Sequence, residues 1–217
     1  MGQAVAAQPG GEFLMLKFTA WRGEHGPGYD PLPEPKNYCF QSRHASLSFG
    51  AERVARHYAL HPNTPRLDGL NGTCPRLIQA ELTINRSVVF NKDDAFVEME
   101  DLIEKIGEKN VQTIALSHAQ WFYNTNLWDS EFGHTYPNMR ALLDHRPELL
   151  KTLYVQIYPL LDDPRVINLL RTSGFDGAIY AGTGAFPDEP EYRVFDATQA
   201  QILQIKALMP GHLLAPM

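Results

Sequence analysis

The stretch Phe186-Pro-Asp-Glu-Pro-Glu-Tyr-Arg-Val-Phe-Asp196 decides how the rest of the chain is read. Glu189 and Glu191 stand two residues apart where a loop runs into a short apolar strand. In extended backbone, residues i and i+2 point to the same face. Both carboxylates are therefore expected to look into one space, an arrangement able to hold a sugar hydroxyl and a nucleophile together. Pro190 between them has no N–H for a ladder, which places it at a strand start or an edge. The plainer alternative is an acidic surface loop, since Asp188 joins the two glutamates there.

Upstream, Gly174-Phe-Asp-Gly-Ala-Ile-Tyr180 reads as a turn entering a buried strand, with Asp176 shaping the turn between Gly174 and Gly177. Ala181 to Pro187 forms the connecting loop. Asp163 to Arg171 is a helix with Pro164 in its first position, and Gln201 to Leu208 closes the chain as strand or helix. At the other end, Phe13 to Arg22 reads as a strand. Leu14, Leu16, Phe18 and Ala20 share one face, and the same parity brings Arg22 to it. Gly23 follows and would let a ligand approach the backbone closely.

Residues 23–37 hold four prolines and three glycines, a long loop of the kind used as a lid or binding segment. Tyr38 to Phe49 is a weak strand ending in Ser46-Leu-Ser48. Gly50 breaks it, and Ala51 to Ala59 is a short helix with Val54, Ala55 and Tyr58 at helical spacing. A loop covers 62–75. Leu77 to Ile84 and Ser87 to Phe90 are strands on β-branched content. Asp93 to Ile106 is expected to be an amphipathic helix with Phe96, Met99, Leu102, Ile103 and Ile106 as its stripe, capped by Asp93 or Asp94 and stopped by Gly107. Val111 to Leu116 fits strand or helix, 117–135 is aromatic without a period, and 137–160 is mostly helical with interruptions at Pro147 and Pro159. The expected organisation is a loose tail over 1–12 and one α+β domain over 13–217 with a helical insertion around 111–160.

Composition sets bounds on this. With 217 residues, 44% apolar and 20% charged, the chain can bury a sizeable core. A net charge of −6 argues against gripping nucleic acid by bulk electrostatics, although Arg43, Arg53, Arg56 and Arg66 could form a local basic face. Cys39 and Cys74 have no metal-type spacing, and a reducing cytoplasmic setting fits them. No signal peptide, myristoylation signal or membrane span is expected. The eight histidines show no metal spacing beyond His57 and His61 at i, i+4, and no third ligand is evident, so no metal is expected.

An Arg ending the first strand, a Ser-x-Ser strand followed by a helix, and a Glu-x-Glu strand near the C-terminus resemble the ADP-ribosyltransferase superfamily of the Arg–Ser–Glu type. The matching residues are Trp21-Arg22-Gly23, then Ser46-Leu-Ser48-Phe49 with Ala55 and Tyr58, then Glu189-Pro-Glu191. The resemblance is nearest to bacterial and phage domains of polyvalent and toxin proteins, where a Gly-Tyr/Phe-Asp-Gly strand precedes a Glu-Tyr-x-Val-Phe strand and a Gln-Ile-containing end. Here those are Gly174 to Gly177, Glu191 to Phe195 and Gln201-Ile202. The match spans about 13–207, is poor over 111–160, and departs at Leu47, where Ser-Thr-Ser is usual.

The resemblance implies a split β-sandwich core with flanking helices, and a mono-ADP-ribosyltransferase that takes NAD as substrate and releases nicotinamide. Glu191 would be the catalytic carboxylate and Glu189 the group that orients the acceptor. Arg22 would anchor NAD, Gly23 would meet the nicotinamide amide, Ser46 or Ser48 would brace the strand or Glu191, and Phe49 or Tyr58 would stack on nicotinamide. The residue types suit an oxocarbenium-like transition state and a pyrophosphate. A protein acceptor is favoured over nucleic acid, and a toxin or phage-borne modifier would suit the resemblance. Two further readings stand beside it: an inactive binding module of the same fold, and an NAD glycohydrolase. Plainer roles also remain. Arg22 could pair with a surface carboxylate, Ser46 and Ser48 could form a turn, and Tyr58 could belong to the core. Trp121, Phe122, Tyr123 and Trp128 could be core, a lid or a base-stacking platform.

Overall fold

Two twelve-residue strands form the frame. β1 (Leu16–Pro27) runs antiparallel to β3 (Thr73–Ile84), with Leu16 opposite Ile84 and Pro27 opposite Thr73. The computed structural model describes residues 15–27, 34–40, 44–61, 73–183 and 185–208. The expected tail, Phe13, Leu14, much of the 23–37 and 62–75 loops, Arg43 and Arg66 lie outside the described residues. β1 continues five residues past Arg22 into the expected loop, because β3 supplies a partner for each of them. β9 (Ala200–Ala207) pairs with the other edge of β3, resolving the closing segment as strand.

The second sheet has the order β2-β8-β7-β4, from β2 (Leu47–Phe49), β4 (Ser87–Asn91), β7 (Gly177–Ala181) and β8 (Pro190–Val194). β4 and β7 are parallel, and the other neighbours are antiparallel. Pro190 is the first residue of β8, where a missing N–H is tolerated, although the strand itself is internal to the sheet. The sheets face each other: Ala20, Ala80, Leu82 and Ile84 from the first pack with Leu47, Phe49, Ile179 and Val194 from the second. The even residues of β1 and β3 thus point into the sandwich, as period two requires. One isolated bridge, Trp21 with Gly50, joins β1 to the segment after β2.

Helix α1 (Glu52–Leu60) lies on the outer face of the first sheet, with Ala55 and Ala59 buried against Leu77 and Trp21. Gly23 permits that approach: a Cβ there would stand 2.0 Å from the Ala55 carbonyl oxygen.

The expected helix over 93–106 is shorter than its pattern. Phe96–Glu98 is a strand, β5, paired with β6 (Tyr154–Gln156), and only Met99–Ile106 is helical, as α2. The N–H of Phe96 donates to the Asp94 carboxylate, a local turn that competes with helix initiation. Gly107, at φ +83°, ends α2 as expected.

Four helices, α3 (Glu108–Ser117), α4 (Ala119–Tyr123), α5 (Met139–His145) and α6 (Ile157–Asp162), with a π turn at Trp128–Phe132 and a 3-10 turn at Pro147–Thr152, build the second, larger core. Pro159 is the third residue of α6 and does not interrupt it, since a first-turn N–H has no intrahelical acceptor. α7 (Pro164–Thr172) starts at Pro164 behind the Asp163 cap. Phe122 and Trp128 are core residues, whereas Trp121 is 37% exposed beside Tyr158. Asp176 holds a turn, but a distant one: its carboxylate accepts from the N–H groups of Asn85 and Arg86 between β3 and β4. The fold is mixed α+β, and no helix among the described residues is long and apolar enough to cross a membrane.

Candidate active site

The two sheets part just beyond the Trp21–Gly50 bridge, and a cleft of about 550 Å³ opens there. Trp21 exchanges both backbone hydrogen bonds with Gly50, at 2.9 and 2.8 Å. Alternate residues of a strand aim their N–H and C=O at opposite edges. Gly23 therefore turns its donor and acceptor to the Gly50 side, where continued pairing would bring it opposite Ser48. The pairing does not continue, so the Gly23 backbone faces the gap between the sheets.

Arg22, Gly23, Ser46, Ser48, Phe49, Tyr58, Glu189 and Glu191 all line this one cleft, although they come from β1, the β2 segment, α1, and β8 with the loop that leads into it. They sit in it differently. Ser48 points away from the sandwich between buried Leu47 and Phe49, and its hydroxyl donates to Glu191 Oε1 at 2.8 Å. Ser46 is fully buried, donates to the Leu161 carbonyl at 2.8 Å and accepts from Arg193 at 3.1 Å. The serine that meets Glu191 is thus Ser48, and Ser46 braces the surrounding shell. The Phe49 ring packs edge-on to Phe40 in the core, which leaves Tyr58 as the half-buried ring on the α1 wall. Burial, then the neighbouring Glu191 charge, pushes the Tyr58 hydroxyl above its ordinary pKa.

Arg22 is held on both sides. Its Nε donates to Glu24 at 2.5 Å and one terminal nitrogen donates to the Ser48 carbonyl at 3.0 Å. Glu24 is buried, takes a second bond from Tyr38 at 2.6 Å and lies opposite Arg76 across the β1–β3 ladder. Arg22 therefore pairs with an interior carboxylate rather than a surface one, and the pair fixes its guanidinium along the wall of the cleft.

The two glutamates share a face as the spacing requires, yet their surroundings separate them. Glu191 is mostly buried and accepts from Ser48 and, at 2.6 Å, from Arg193 Nε. Burial alone would raise its pKa. The Arg193 charge and the bonds from Ser48, Tyr180 and Arg193 outweigh it, so the carboxyl sits below its ordinary value and is ionised at neutral pH. Glu189 is tied to Arg53 of α1 at 2.5 Å, and that guanidinium also lies 5.6 Å from the Phe186 ring centroid. The loop before β8 is thereby strapped to α1.

Arg193, Tyr180 and Asp162 were not among the candidates drawn from the sequence. Arg193 was within reach, since Glu189, Glu191 and Arg193 share one parity. Asp162, at the end of α6, carries no sequence signal that would direct it to the cleft. His57 stands 4.9 Å from His61, ring to ring, and no group of three His, Cys, Asp or Glu residues among those described is placed to hold a metal ion.

In comparisons with known proteins, the chain matches no family model, no curated protein and no solved structure. The cleft is accordingly interpreted from its own chemistry. It presents one ionised carboxylate in a low-dielectric wall, an adjacent strand edge offering one donor and one acceptor, an anchored guanidinium and a second carboxylate at the mouth. Such a set can stabilise a cation developing on a sugar carbon, hold a carboxamide and receive an anion.

Proposed function

We propose that the protein is a mono-ADP-ribosyltransferase built on a split β-sandwich, with NAD as substrate, a macromolecular acceptor and nicotinamide as leaving group. The observation that carries this reading is Glu191: an ionised carboxylate, braced by Ser48 and Arg193, in the cleft where the two sheets separate. The nicotinamide carboxamide has one donor and one acceptor face, matching the edge that Gly23 presents. A cleft of about 550 Å³ is of the size that takes such ligands.

In this scheme the bond between the ribose C1′ and the nicotinamide nitrogen breaks, and its electron pair leaves with neutral nicotinamide. Positive charge builds on the ribose, and Glu191 stabilises it where water cannot screen the interaction. An acceptor nucleophile then bonds to C1′ and gives its proton to solvent, with Glu189 at the mouth orienting it. Arg22 receives the pyrophosphate, and Tyr58 provides the stacking surface. A protein acceptor in a bacterial or host cytosol is the favoured setting, consistent with a toxin or phage-borne modifier. Glu189, Glu191 and Arg22 together favour turnover over an inactive binder.

The test is transfer of label from adenylate-labelled NAD into cell lysate, comparing wild type with Glu191→Ala and fractionating the product by protease and nuclease. Label that is present with wild type and lost in the variant establishes the transferase and the acceptor class. Nicotinamide release without label identifies a glycohydrolase. Saturable NAD binding with neither product identifies a binding module.

A further inference from the structure

Glu191 raises a physical difficulty that Arg193 sharpens. A carboxylate meant to stabilise a developing cation should not be neutralised, yet Arg193 Nε bonds to its Oε1 at 2.6 Å. The guanidinium is 8% exposed and is pinned on every side: Tyr180 at 3.0 Å, Ser46 at 3.1 Å and Asp162 Oδ1 at 2.7 Å. Asp162 is the last residue of α6 and directly precedes Asp163, the N-cap of α7; its Oδ1 meets Arg193 and its Oδ2 lies 3.5 Å from His44 Nδ1. Its placement is explained by what it faces. With Asp162 ionised, the group Glu191–Arg193–Asp162 retains one net negative charge at the cleft. Without it the net charge is zero.

We propose that Asp162 and Arg193 form a positioning pair for Glu191, in which Arg193 fixes the carboxylate and Asp162 cancels the charge of Arg193, so that Glu191 keeps its full field toward the ribose. This rests on the transferase reading above. It assigns a role to the end of α6, just past the stretch over which the Arg–Ser–Glu resemblance is poor, and to the residue that the Glu-Tyr-x-Val-Phe pattern leaves open.

Four proteins test it: wild type, Asp162→Asn, Arg193→Gln and the double variant, each checked for folding by its melting curve. Arg193→Lys is added as the variant that keeps the charge should Arg193→Gln not fold. Nicotinamide release gives kcat and KM for NAD. Carboxyl carbon NMR with labelled glutamate, assigned with Glu191→Gln, gives the Glu191 titration without any substrate. The other charged or titratable groups at this part of the cleft are Tyr58 on α1, Tyr158 on α6, Tyr180 on β7, Arg22 on β1, Glu189 in the loop before β8, and His44, and all remain in each variant.

Asp162→Asn should lower kcat by on the order of tenfold, the scale of one partly buried charge near the site, with KM for NAD changed less than about twofold. The double variant should turn over faster than Asp162→Asn alone, because removing Arg193 restores the net charge. The Glu191 titration should move down in Asp162→Asn and up in Arg193→Gln, and stay close to wild type in Arg193→Lys, which keeps the charge. A double variant slower than both single ones, or a titration that moves in the same direction in both, would overturn the assignment. If wild type releases no nicotinamide, the transferase reading fails, and the opposed titration shifts still decide whether the pair sets the charge of Glu191.

Discussion

Gly23→Ala is the substitution whose effect follows most directly from the structure. A Cβ at this position would meet the Ala55 carbonyl oxygen at 2.0 Å and the Ala59 nitrogen at 2.8 Å, against an ordinary contact of 3.4 Å or more. Those two atoms are the acceptor and donor of one turn of α1, so they cannot be displaced without opening the helix or lifting it from β1. The required retreat is roughly 1.4 Å at Ala55. Overpacking of this kind costs about 1–3 kcal/mol, which for a chain of this length is a fall in melting temperature of about 4–8 °C at the middle of that range. Gly50→Ala is the matched control. It pairs with Trp21, two residues before Gly23, has no positive φ, and its Cβ would find its nearest neighbours at 3.6 Å. It should melt within about 2 °C of wild type. Differential scanning calorimetry of the three proteins reads both values. A Gly23→Ala melting curve superimposable on wild type would mean that α1 does not seat on β1 as described, and the Tyr58 wall of the cleft would fall with it.

Four other outcomes are expected. Ser48→Ala removes a charge-assisted bond to Glu191 and, under the transferase reading, should lower the rate of nicotinamide release from NAD by about tenfold or more, while Ser46→Ala strips the Leu161 carbonyl and Arg193 of a buried partner and should cost about 1–3 kcal/mol of stability in a urea titration. Asp163, held down to a pKa of about 2 by the Arg165 side chain against the effect of burial, has an ordinary value of 3.8. A depressed folded-state pKa contributes stability above pH 3.8 that is lost as pH falls towards 2, so Asp163→Asn should flatten that part of the acid-unfolding profile. Arg53→Ala frees Glu189 from α1; proteolysis of the loop at Thr183 to Asp188 should speed up several-fold while the melting temperature changes by less than about 2 °C, since the Arg53 end of the ion pair is largely exposed.

What could be read from the sequence was what short-range periodicity controls. The parity of Leu16, Phe18, Ala20 and Arg22 placed one face of β1 inward and carried Arg22 to the cleft, and the spacing of Glu189 and Glu191 put both carboxylates on one wall. The same parity reaches Arg193, whose charge made it resemble an ordinary exposed position in a strand. Non-local pairing set the rest. Phe96-Val-Glu98 has an apolar residue at helical spacing from Met99, but Tyr154–Gln156 arrives as a strand partner and takes the segment. β1 runs through Gly23 to Pro27 because β3 is long enough to match it, which no local signal at Gly23 or Gly26 reveals. Asp162 has meaning only once α6 is seen to end beside Arg193.

The difference in environment between Glu191 and Glu189 bears on how one cleft can serve two steps. Glu191 is gripped from β2, β8 and, through Arg193, from α6; under the transferase reading its carboxylate would lose little freedom as charge develops on the ribose, the preorganisation that gives a fixed charge its catalytic value. Glu189 is held by a single side chain from α1 on a loop that folds back on Gly182, whose N–H bonds to the Glu189 carbonyl at 2.6 Å. Release of Arg53 would free the Glu189 side chain without disturbing the sheet that carries Glu191. Under the transferase reading, bond cleavage is assigned to the rigid carboxylate and acceptor choice to the tethered one. Glu189→Gln should therefore abolish transfer to the acceptor while leaving nicotinamide release within about threefold of wild type, whereas Glu191→Gln should remove both; loss of nicotinamide release in Glu189→Gln to the same degree as in Glu191→Gln would refute that division.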